Sequence, residues 1–397
     1  MSNSSGNSLP RQPLPLLAVL LAAGTLTAMT GGVVSPVFPE VVESLRVDPQ
    51  WAGLLVSMHT LTTALFSPVF GILSDRLGKR QVLVPALVAY AVFGMAGALA
   101  SGFWGMLAAR ALVGIASGGI AAASIGLLST LYDGEARSRM LGYATSALAT
   151  TSIFFPLLGG WLGTFQWQYA FLLYGLGIPT AIAVVLIIPE RETAKGAGIT
   201  LPQGEQRQEL FRMLRRPSIA MLLATLLLAS AVFYIVIVYA PLFYKQAIDA
   251  DPTVNGAILA ARAIGAAIIS AVGASRLAKW IGRAKAIATG FLLMALMLMT
   301  IPFLTQVPVI LLTAVGFGLG YGLVMPNLYD SLAILTTNDL RTSVLAIGTG
   351  MANLGQFISP LLLGPVWKYG GIQVFWLGAG LSLAIALVGG LKRSPGR

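Results

Sequence analysis

Residues 71–80 read GILSDRLGKR and form a short charged stretch between two long apolar runs. The run before it covers about residues 51–74, and the run after it covers about residues 81–101. Each run is long enough to cross the hydrocarbon core of a bilayer as a helix, which takes roughly 20 apolar residues. Gly78 permits a tight turn between the two helices. The sequence therefore predicts a membrane-spanning helical hairpin whose charged turn lies at one membrane surface.

The composition extends this membrane assignment to the whole chain. Of the 397 residues, 56% are hydrophobic and 10% are charged, and the mean hydropathy is +0.83. A soluble domain carries about 25% charged residues, so this chain has too few charges to cover a water-exposed surface. This argues against a soluble enzyme, a disordered protein and a nucleic-acid reader. Without cysteine, and with one histidine and 14 acids, the sequence predicts no enzymatic activity, no metal site and no cofactor.

Twelve apolar runs follow one another along the chain. They lack the period-two alternation and aromatic girdles of a transmembrane β-barrel, so they predict helices. Only Arg11 precedes the first run, which is too long for the apolar part of a cleaved signal peptide. The predicted spans lie near residues 14–38, 51–74, 81–101, 104–132, 140–163, 168–189, 218–242, 253–275, 284–304, 308–334, 343–366 and 372–391.

The positions of the basic residues predict the orientation of the spans. Arg46, Lys245 and Lys368 fall in loops on one side of the membrane. Arg110 and Arg262 fall inside spans, and every other Lys or Arg lies on the side of the N-terminus. Because basic loops stay in the cytoplasm, both termini are predicted to be cytoplasmic in a multi-pass protein of the inner (plasma) membrane. Topology thus accounts for the net charge of +11, and no nucleic-acid partner is implied.

A weak internal repeat at an offset of 204 residues divides the spans into two sets of six. Two parallel six-helix halves, with a site between them near the midplane, describe one class of secondary transporter. The matching pairs are Gly78 and Gly282, Gly114 and Gly318, Gly118 and Gly322, Arg137 and Arg341, Pro156 and Pro360, and Phe171 and Phe375. The predicted organisation is a disordered cytoplasmic tail (1–12), a six-helix bundle (13–189), a cytoplasmic linker (190–217), a second six-helix bundle (218–391) and a cytoplasmic tail (392–397).

The stretch 71–80 resembles the loop motif G-x-L-x-D-R-x-G-R-K of the major facilitator superfamily. In that family the aspartate belongs to a latch that closes the cytoplasmic side against the N-terminus of span 11. A carboxylate at a helix N-terminus is favoured by roughly 0.3–1 kcal/mol. The resemblance implies a latch against the helix start near residues 342–343. The residues assigned to this latch are Gly71, Asp75, Arg76, Gly78, Lys79, Arg80 and Asp133.

Span 4 contains Arg110, followed by Gly114 and Gly118 at intervals of four residues. This spacing resembles the family pattern R-x-x-x-G-x-x-x-G. Glycines four residues apart let two helices approach closely. An unpaired charge at this depth costs up to about 2.5–3.5 kcal/mol on insertion scales, so Arg110 must find water, a partner or a substrate. The resemblance implies a role in proton transfer. The alternative is that Arg110 reaches the outer surface or bonds structurally to backbone carbonyls.

Span 5 resembles the antiporter signature of the drug-efflux branches, G-x8-G-x3-G-P-x2-G-G. Thr151 and Phe155 replace two of its glycines, and the stretch 35–57 looks like the opening of the twelve-span drug:proton antiporters, without an acid before Glu40. This pattern favours an exporter, whereas the alternative is a structural kink. The residues in register are Gly142, Pro156, Gly159 and Gly160.

Three further polar residues lie within predicted spans, and such residues are functional candidates by default. Asp330 is either a proton carrier or cation contact, or a cap or latch near the cytoplasmic end. An unperturbed histidine titrates near neutral pH, which makes His59 a functional candidate, and a satisfied interhelical histidine is the alternative. Arg262 matches Met58 under the repeat, so it could face His59 and hold an anionic substrate, or reach the external surface.

Aromatic and polar residues of spans 7 and 10 are candidates to line a cavity for a broad amphipathic substrate, although core packing explains such stripes equally well. These residues are Phe233, Tyr234, Tyr239, Tyr321, Met325, Asn327 and Tyr329.

The prediction as a whole is an all-α membrane protein of twelve transmembrane helices in two pseudo-twofold-related bundles, the major facilitator fold. It is expected to be a monomer that exports a small amphipathic molecule in exchange for protons by alternating access. The absence of a G-x-x-x-x-G-K-[ST] loop argues against an ATP-driven pump. Two alternatives stay open. One is a facilitator or importer of a sugar, amino acid or organic anion, and the other is a transport-inactive membrane receptor or assembly subunit.

Overall fold

The computed structural model describes residues 14–131, 134–188, 204–337 and 339–391. Both predicted tails lie outside these ranges, as do Asp133 of the predicted latch and residues 190–203 of the predicted linker. The described residues form helices and short connections, without a strand among them.

The described residues of the first half form eight α-helices, of which the last two follow one another within the sixth span. They are α1 (Leu14–Gly32), α2 (Phe38–Ser44), α3 (Pro49–Leu77), α4 (Lys79–Ala96), α5 (Phe103–Leu131), α6 (Gly134–Gly163), α7 (Trp167–Leu172) and α8 (Gly177–Ile187).

The second half begins with a short amphipathic helix, α9 (Glu205–Leu214), at the end of the predicted linker. The helices that follow it are α10 (Pro217–Ile248), α11 (Pro252–Ile268), α12 (Ala274–Ile281), α13 (Arg283–Thr300), α14 (Val307–Ile334), α15 (Arg341–Gly370) and α16 (Gln373–Leu391).

The predicted spans are confirmed as helices. Among the described residues, eleven segments are long and apolar enough to cross a membrane, and the apolar stretch of the twelfth, Gln373–Val388, is shorter. Four boundaries differ from the prediction by six residues, at the start of α6 and at the ends of α1, α10 and α12. The first helix ends at Gly32 rather than near residue 38, because the chain turns at residues 33–37 before α2 begins at Phe38. A π-helical turn, Ile269–Gly273, interrupts the eighth span between α11 and α12.

The glycines of the sequence repeat make equivalent contacts in the two halves. A Cβ on Gly114 of α5 would collide with the backbone carbonyl of His59 on α3. Its repeat partner Gly318 of α14 would collide in the same way with the carbonyl of Arg262 on α11. Both helix pairs are therefore in backbone contact at the point where the chain places a polar side chain inside the membrane.

The repeat-related prolines pack the two halves against each other. A Cβ on Gly256 of α11 would touch the carbonyl of Pro156 on α6. A Cβ on Gly53 of α3 would lie 2.5 Å from the Cβ of Pro360 on α15. Pro156 and Gly160 of the antiporter-like motif thus lie at an interface between halves, because Gly160 also packs directly on the backbone of α11, at Gly256 and at Pro252 one turn earlier. Gly159 instead packs on Val33 of the first half.

The glycines of this motif are predicted to differ in their tolerance of alanine. A Cβ at Gly160 meets the Pro252 carbonyl, whereas a Cβ at Gly142 meets nothing within 4 Å. Overpacking a tight contact costs typically about 1–3 kcal/mol, and alanine is the better helix former at an open position. Gly160→Ala is expected to lower the melting temperature of the purified protein, and Gly142→Ala is expected to leave it unchanged or raise it. Equal effects of the two substitutions would contradict this assignment of the interface.

Candidate transport site

One end of the molecule is closed by ion pairs between the two halves, and we call it the sealed end. Nζ of Lys368 on α15 lies 2.7 Å from Oδ2 of Asp48, which precedes α3. Nζ of Lys245 on α10 lies 3.9 Å from Oε1 of Glu40 on α2 and 2.9 Å from Oδ1 of Asp249. The sealed end is thus held by pairs that join the first half to the second.

Glu40 stands out among these groups because both of its carboxylate oxygens are buried without a hydrogen-bond partner in the described part of the chain. Burial raises the pKa of the Glu40 carboxyl above its usual value, and the charges of Glu43 and Asp251 act in the same direction. Lys245 opposes this shift. By contrast, the hydrogen bond from Lys368 lowers the pKa of the exposed Asp48.

The opposite end, which carries the motif 71–80 and Asp330, is here called the basic end. Asp75 is exposed and forms no ion pair within the described residues. Asp330 pairs with Arg283 at 2.8 Å, and its side chain is 53% exposed. The structure therefore places Asp330 near the start of α13 at the surface, and its predicted role as proton carrier stays a prediction.

The other predicted latch residues differ in their surroundings. Gly71 is buried in α3, and Gly78 makes the turn with φ of 102°. Lys79 is buried against Gly126 of α5. Arg80 donates from Nη1 to the carbonyl of Ile188, where a cation meets the negative end of α8. Arg76 is exposed in the last turn of α3.

Arg110 lies in the interior of the first half, with 1% of its surface exposed. Its guanidinium donates to the carbonyl oxygens of Leu55 at 3.1 Å and Thr30 at 2.8 Å. It also donates to the Tyr174 hydroxyl at 2.5 Å and contacts Nδ1 of His59 at 3.1 Å. Arg110 thus joins α1, α3 and the turn between α7 and α8 through all three of its nitrogens.

The contact with Arg110 defines the protonation of His59. Because a guanidinium only donates, Nδ1 of His59 must accept, which leaves the ring neutral with its proton on Nε2. Nε2 points towards Gly31, where a Cβ would lie 3.6 Å from it and 3.8 Å from the hydroxyl of Tyr234. His59 therefore presents an N–H donor to the interface with α10 of the second half.

The polar network around Arg110 includes residues that the sequence did not single out. Tyr174 donates to the Thr30 carbonyl at 2.7 Å, and Tyr90 donates to the Leu26 carbonyl at 2.6 Å. The Thr30 hydroxyl lies 3.2 Å from both Tyr90 and Ser117. Scattered hydroxyls in apolar helices have no shared spacing, so no sequence pattern marks them.

Arg262 is the second arginine of the interior, and it is bonded very differently. Its side chain is 9% exposed, and its Nε is buried without a hydrogen-bond partner among the described residues. Its guanidinium carbon lies 4.2 Å from the centre of the Phe233 ring. Phe233 in turn stacks on Tyr321 with ring centres 4.2 Å apart and an angle of 23° between the planes.

The predicted cavity residues fall into two groups. Phe233, Tyr321, Met325 and Tyr329 are partly exposed, and the Tyr329 hydroxyl lies 3.4 Å from that of the exposed Thr349. Tyr234 is buried, but its hydroxyl faces Gly31.

The other two predicted cavity residues, Tyr239 and Asn327, contact neighbouring helices instead. Tyr239 donates to the Pro360 carbonyl at 3.3 Å and lies against Trp367, with ring centres 5.3 Å apart. Asn327 donates to the carbonyls of Leu323 at 2.8 Å and Ala274 at 3.4 Å.

The fold and this interior define a class of protein. Two halves of six membrane helices, sealed against each other at one end and with polar groups at their interface, are the architecture of a secondary transporter. The family model of the Major Facilitator Superfamily matches residues 20–249 and 243–396. The chain belongs to this superfamily and is a multi-pass membrane protein.

The curated relatives are drug-resistance proteins. The class E tetracycline resistance protein of Escherichia coli is 26% identical over 366 residues, which cover 89% of this chain and 87% of that one. The quinolone resistance protein NorA of Staphylococcus aureus is 22% identical and covers 89% of this chain and 90% of its own.

Solved transporters share the fold at low identity. A point mutant of the nucleoside transporter NupG superposes with a TM-score of 0.81 at 12% identity, over 95% of this chain and 99% of its own. The human organic anion transporter MFSD10 (TETRAN) gives a TM-score of 0.64 at 19% identity, over 95% and 100%.

The two interior arginines are predicted to respond oppositely to replacement by methionine. Arg110→Met removes four buried contacts, including the donor to Nδ1 of His59, and is expected to lower the melting temperature strongly, since a buried acceptor that loses its partner costs about 1–3 kcal/mol. Arg262→Met removes a buried charge without hydrogen bonds and is expected to leave the melting temperature unchanged or raise it. Thermal unfolding of the purified variants measures both effects, and a collapse of Arg262→Met would show that Arg262 is structural.

Proposed function

We propose that the protein exports a small amphipathic molecule in exchange for protons by alternating access. The observation that carries this proposal is the cluster of Phe233, Tyr321 and Arg262 in the interior of the second half, in a structure whose sealed end is closed. Aromatic faces with one polar anchor suit amphipathic ligands. The similarity to the tetracycline and quinolone resistance proteins supports an exporter.

The direction of export follows from the proposed orientation. The basic end carries most of the Lys and Arg residues, so the positive-inside rule makes it the cytoplasmic end, with both termini on that side of the inner membrane. The sealed end then faces outwards. The partly exposed stripe of Tyr321, Met325 and Tyr329 descends from the site towards the basic end, as expected for a site loaded from the cytoplasm.

Proton entry is proposed to act at two places. His59 is the one side chain of the site that titrates near neutral pH when unperturbed, and it is proposed as the proton carrier. Its protonation would break the contact with Arg110, since a charged ring has no acceptor nitrogen. Asp330 is the alternative carrier, at the basic end. Glu40 is proposed to receive protons at the outer face and to control closure of the sealed end.

The test is transport by the purified protein in liposomes that contain a pH-sensitive dye, under an imposed proton gradient. The substrate panel comprises lipophilic cations, aromatic carboxylates, sugars and amino acids. We expect an aromatic compound to cross and to move protons in the opposite direction. Passage of substrate without proton movement would favour a facilitator. Absence of any turnover would favour a transport-inactive receptor or assembly subunit.

The carrier is identified with two matched variants in the same assay. His59→Gln keeps an acceptor for Arg110 but cannot titrate, so we expect substrate exchange to persist while proton movement is lost. Asp330→Asn removes one partner of an exposed ion pair and is expected to retain coupling. If Asp330→Asn loses coupling and His59→Gln retains it, the carrier role passes to Asp330.

Closure of the sealed end is predicted to depend on external pH through Glu40. Its pKa is raised in the closed structure, and a state in which a group has the higher pKa binds more protons. Acidification from about pH 8 towards about pH 5.5 should therefore favour closure. This pH range lies above the usual carboxyl pKa, where a group with a raised pKa titrates. The charges facing Glu40 are those of Lys245, Glu43 and Asp251, with Asp249 behind Lys245.

Spin labels on Arg46→Cys and Tyr369→Cys measure this closure, because the residues are exposed at the sealed end, one in each half, and the chain has no native cysteine. The distance between the labels should shorten on acidification in the otherwise unchanged protein. In Glu40→Gln it should be short at both pH values. A distance that still responds to pH in Glu40→Gln would show that another group controls closure.

A further inference from the structure

We infer that the substrate is an amphipathic organic anion and that Arg262 binds its negatively charged group. This inference names the substrate class of the proposed transport site and rests on the proposed function. The anion would be a carboxylate, sulfonate or phosphate on an aromatic body, with the body against Phe233 and Tyr321. The remaining donors of the site are the Nε2–H of His59 and the hydroxyl of Tyr234.

Arg262 is a buried cation without a protein counter-ion. Nine-tenths of its surface is buried, and its side chain forms neither an ion pair nor a hydrogen bond within the described residues. Burying a guanidinium is costly unless its N–H groups are paired, and a stack on Phe233 pairs none of them. A ligand that accepts from this flat fork removes the cost.

Arg110 provides an internal comparison. It is more deeply buried than Arg262, yet the protein supplies two backbone carbonyls, a tyrosine hydroxyl and a histidine nitrogen for its donors. The same fold can thus supply acceptors for most of the N–H groups of an interior arginine. The open donors of Arg262 are therefore specific to its position on α11, and Arg110 is assigned a structural role.

The site contains no acidic side chain among the described residues. Two arginines without a carboxylate make the interior positive, which favours an anion and repels a cation. The acids whose side chains the structure describes lie at the two ends or on α9: Glu40, Glu43, Asp48, Asp249 and Asp251 at the sealed end, Asp75, Asp330 and Asp339 at the basic end, and Glu209 on α9.

The donors of the site converge across the two halves. The hydroxyl of Tyr234 and Nε2 of His59 both lie within 4 Å of one point beside Gly31. Phe233, against whose ring the guanidinium of Arg262 lies, is the neighbour of Tyr234 in α10, and the centres of the two rings are 6.2 Å apart. An anion held by Arg262 can therefore accept additional hydrogen bonds from α3 and α10, and a planar oxyanion matches the guanidinium fork.

The test compares three probes that share one aromatic ring system: naphthoate, naphthamide and naphthylmethylammonium. Binding to the purified protein in detergent is measured as a ligand-induced rise in melting temperature. We expect naphthoate to bind at least about tenfold more tightly than the amide, and the ammonium compound to bind most weakly. Arg262→Gln should remove the preference for naphthoate and retain the affinity for naphthamide.

Two variants complete the design. Arg262→Lys keeps the charge but loses the flat fork, and it should retain part of the preference. Arg276→Gln removes an exposed cation from the same span and should behave as the unchanged protein. Equal binding of the three probes, or a naphthoate preference that survives in Arg262→Gln, would overturn the inference.

The outcome is separable from that of the proposed function, because binding in detergent needs no transport cycle. Selective naphthoate binding without turnover in liposomes would support the anion site and refute export. Proton-coupled transport of naphthamide or the ammonium compound, with no selective loss in Arg262→Gln, would support export and refute the anion site.

Discussion

The guanidinium of Arg110 is the interaction on which the first half of the molecule depends. A charge in the hydrocarbon region needs partners from the protein, from a water-filled cavity or from a ligand, because lipid tails offer no hydrogen bonds. Two of its acceptors are backbone carbonyls, at Thr30 and Leu55, so its bonds fix helices α1 and α3 and not merely neighbouring side chains. The contact between Arg110 and Nδ1 of His59 also sets the tautomer of His59. The first half therefore presents the Nε2–H of His59 as a donor towards the second half.

The second half repeats the packing of the first half but not its charge pairing. Gly114 and Gly318 bring equivalent helix pairs into backbone contact, and the polar residues beside those contacts are His59 and Arg262. The pseudo-twofold scaffold thus places two different side chains at related positions. One is neutral and anchored by Arg110, and the other is charged and unpaired. Because of this asymmetry, the proposed site carries the positive charge of Arg262, although the fold around it is pseudo-twofold symmetric.

The sequence predicted the fold well because spans, turns and repeats are local patterns. Apolar runs, Gly78 and the 204-residue offset depend on residues close together or at a fixed spacing. The site was predicted less completely. That Arg110 needs partners follows from its charge, but carbonyl acceptors leave no trace in a sequence. The pair of Glu40 and Lys245 joins residues far apart in the chain, and helical period alone did not separate Tyr239 and Asn327, which serve packing, from Phe233 and Tyr321.

The sign of the substrate charge also decides how transport is driven. A membrane that is negative inside favours the exit of an anion by about 2.3 kcal/mol per charge for each 100 mV, and it favours the entry of a proton equally. In exchange of a monovalent anion for one proton, both movements carry charge in the same direction, so the potential contributes twice. A neutral substrate gains only the proton's share, and a monovalent cation exchanged for one proton gains nothing from the potential. A positively charged site at the interface is therefore consistent with export that continues when the pH gradient is small, since the potential alone then drives the cycle.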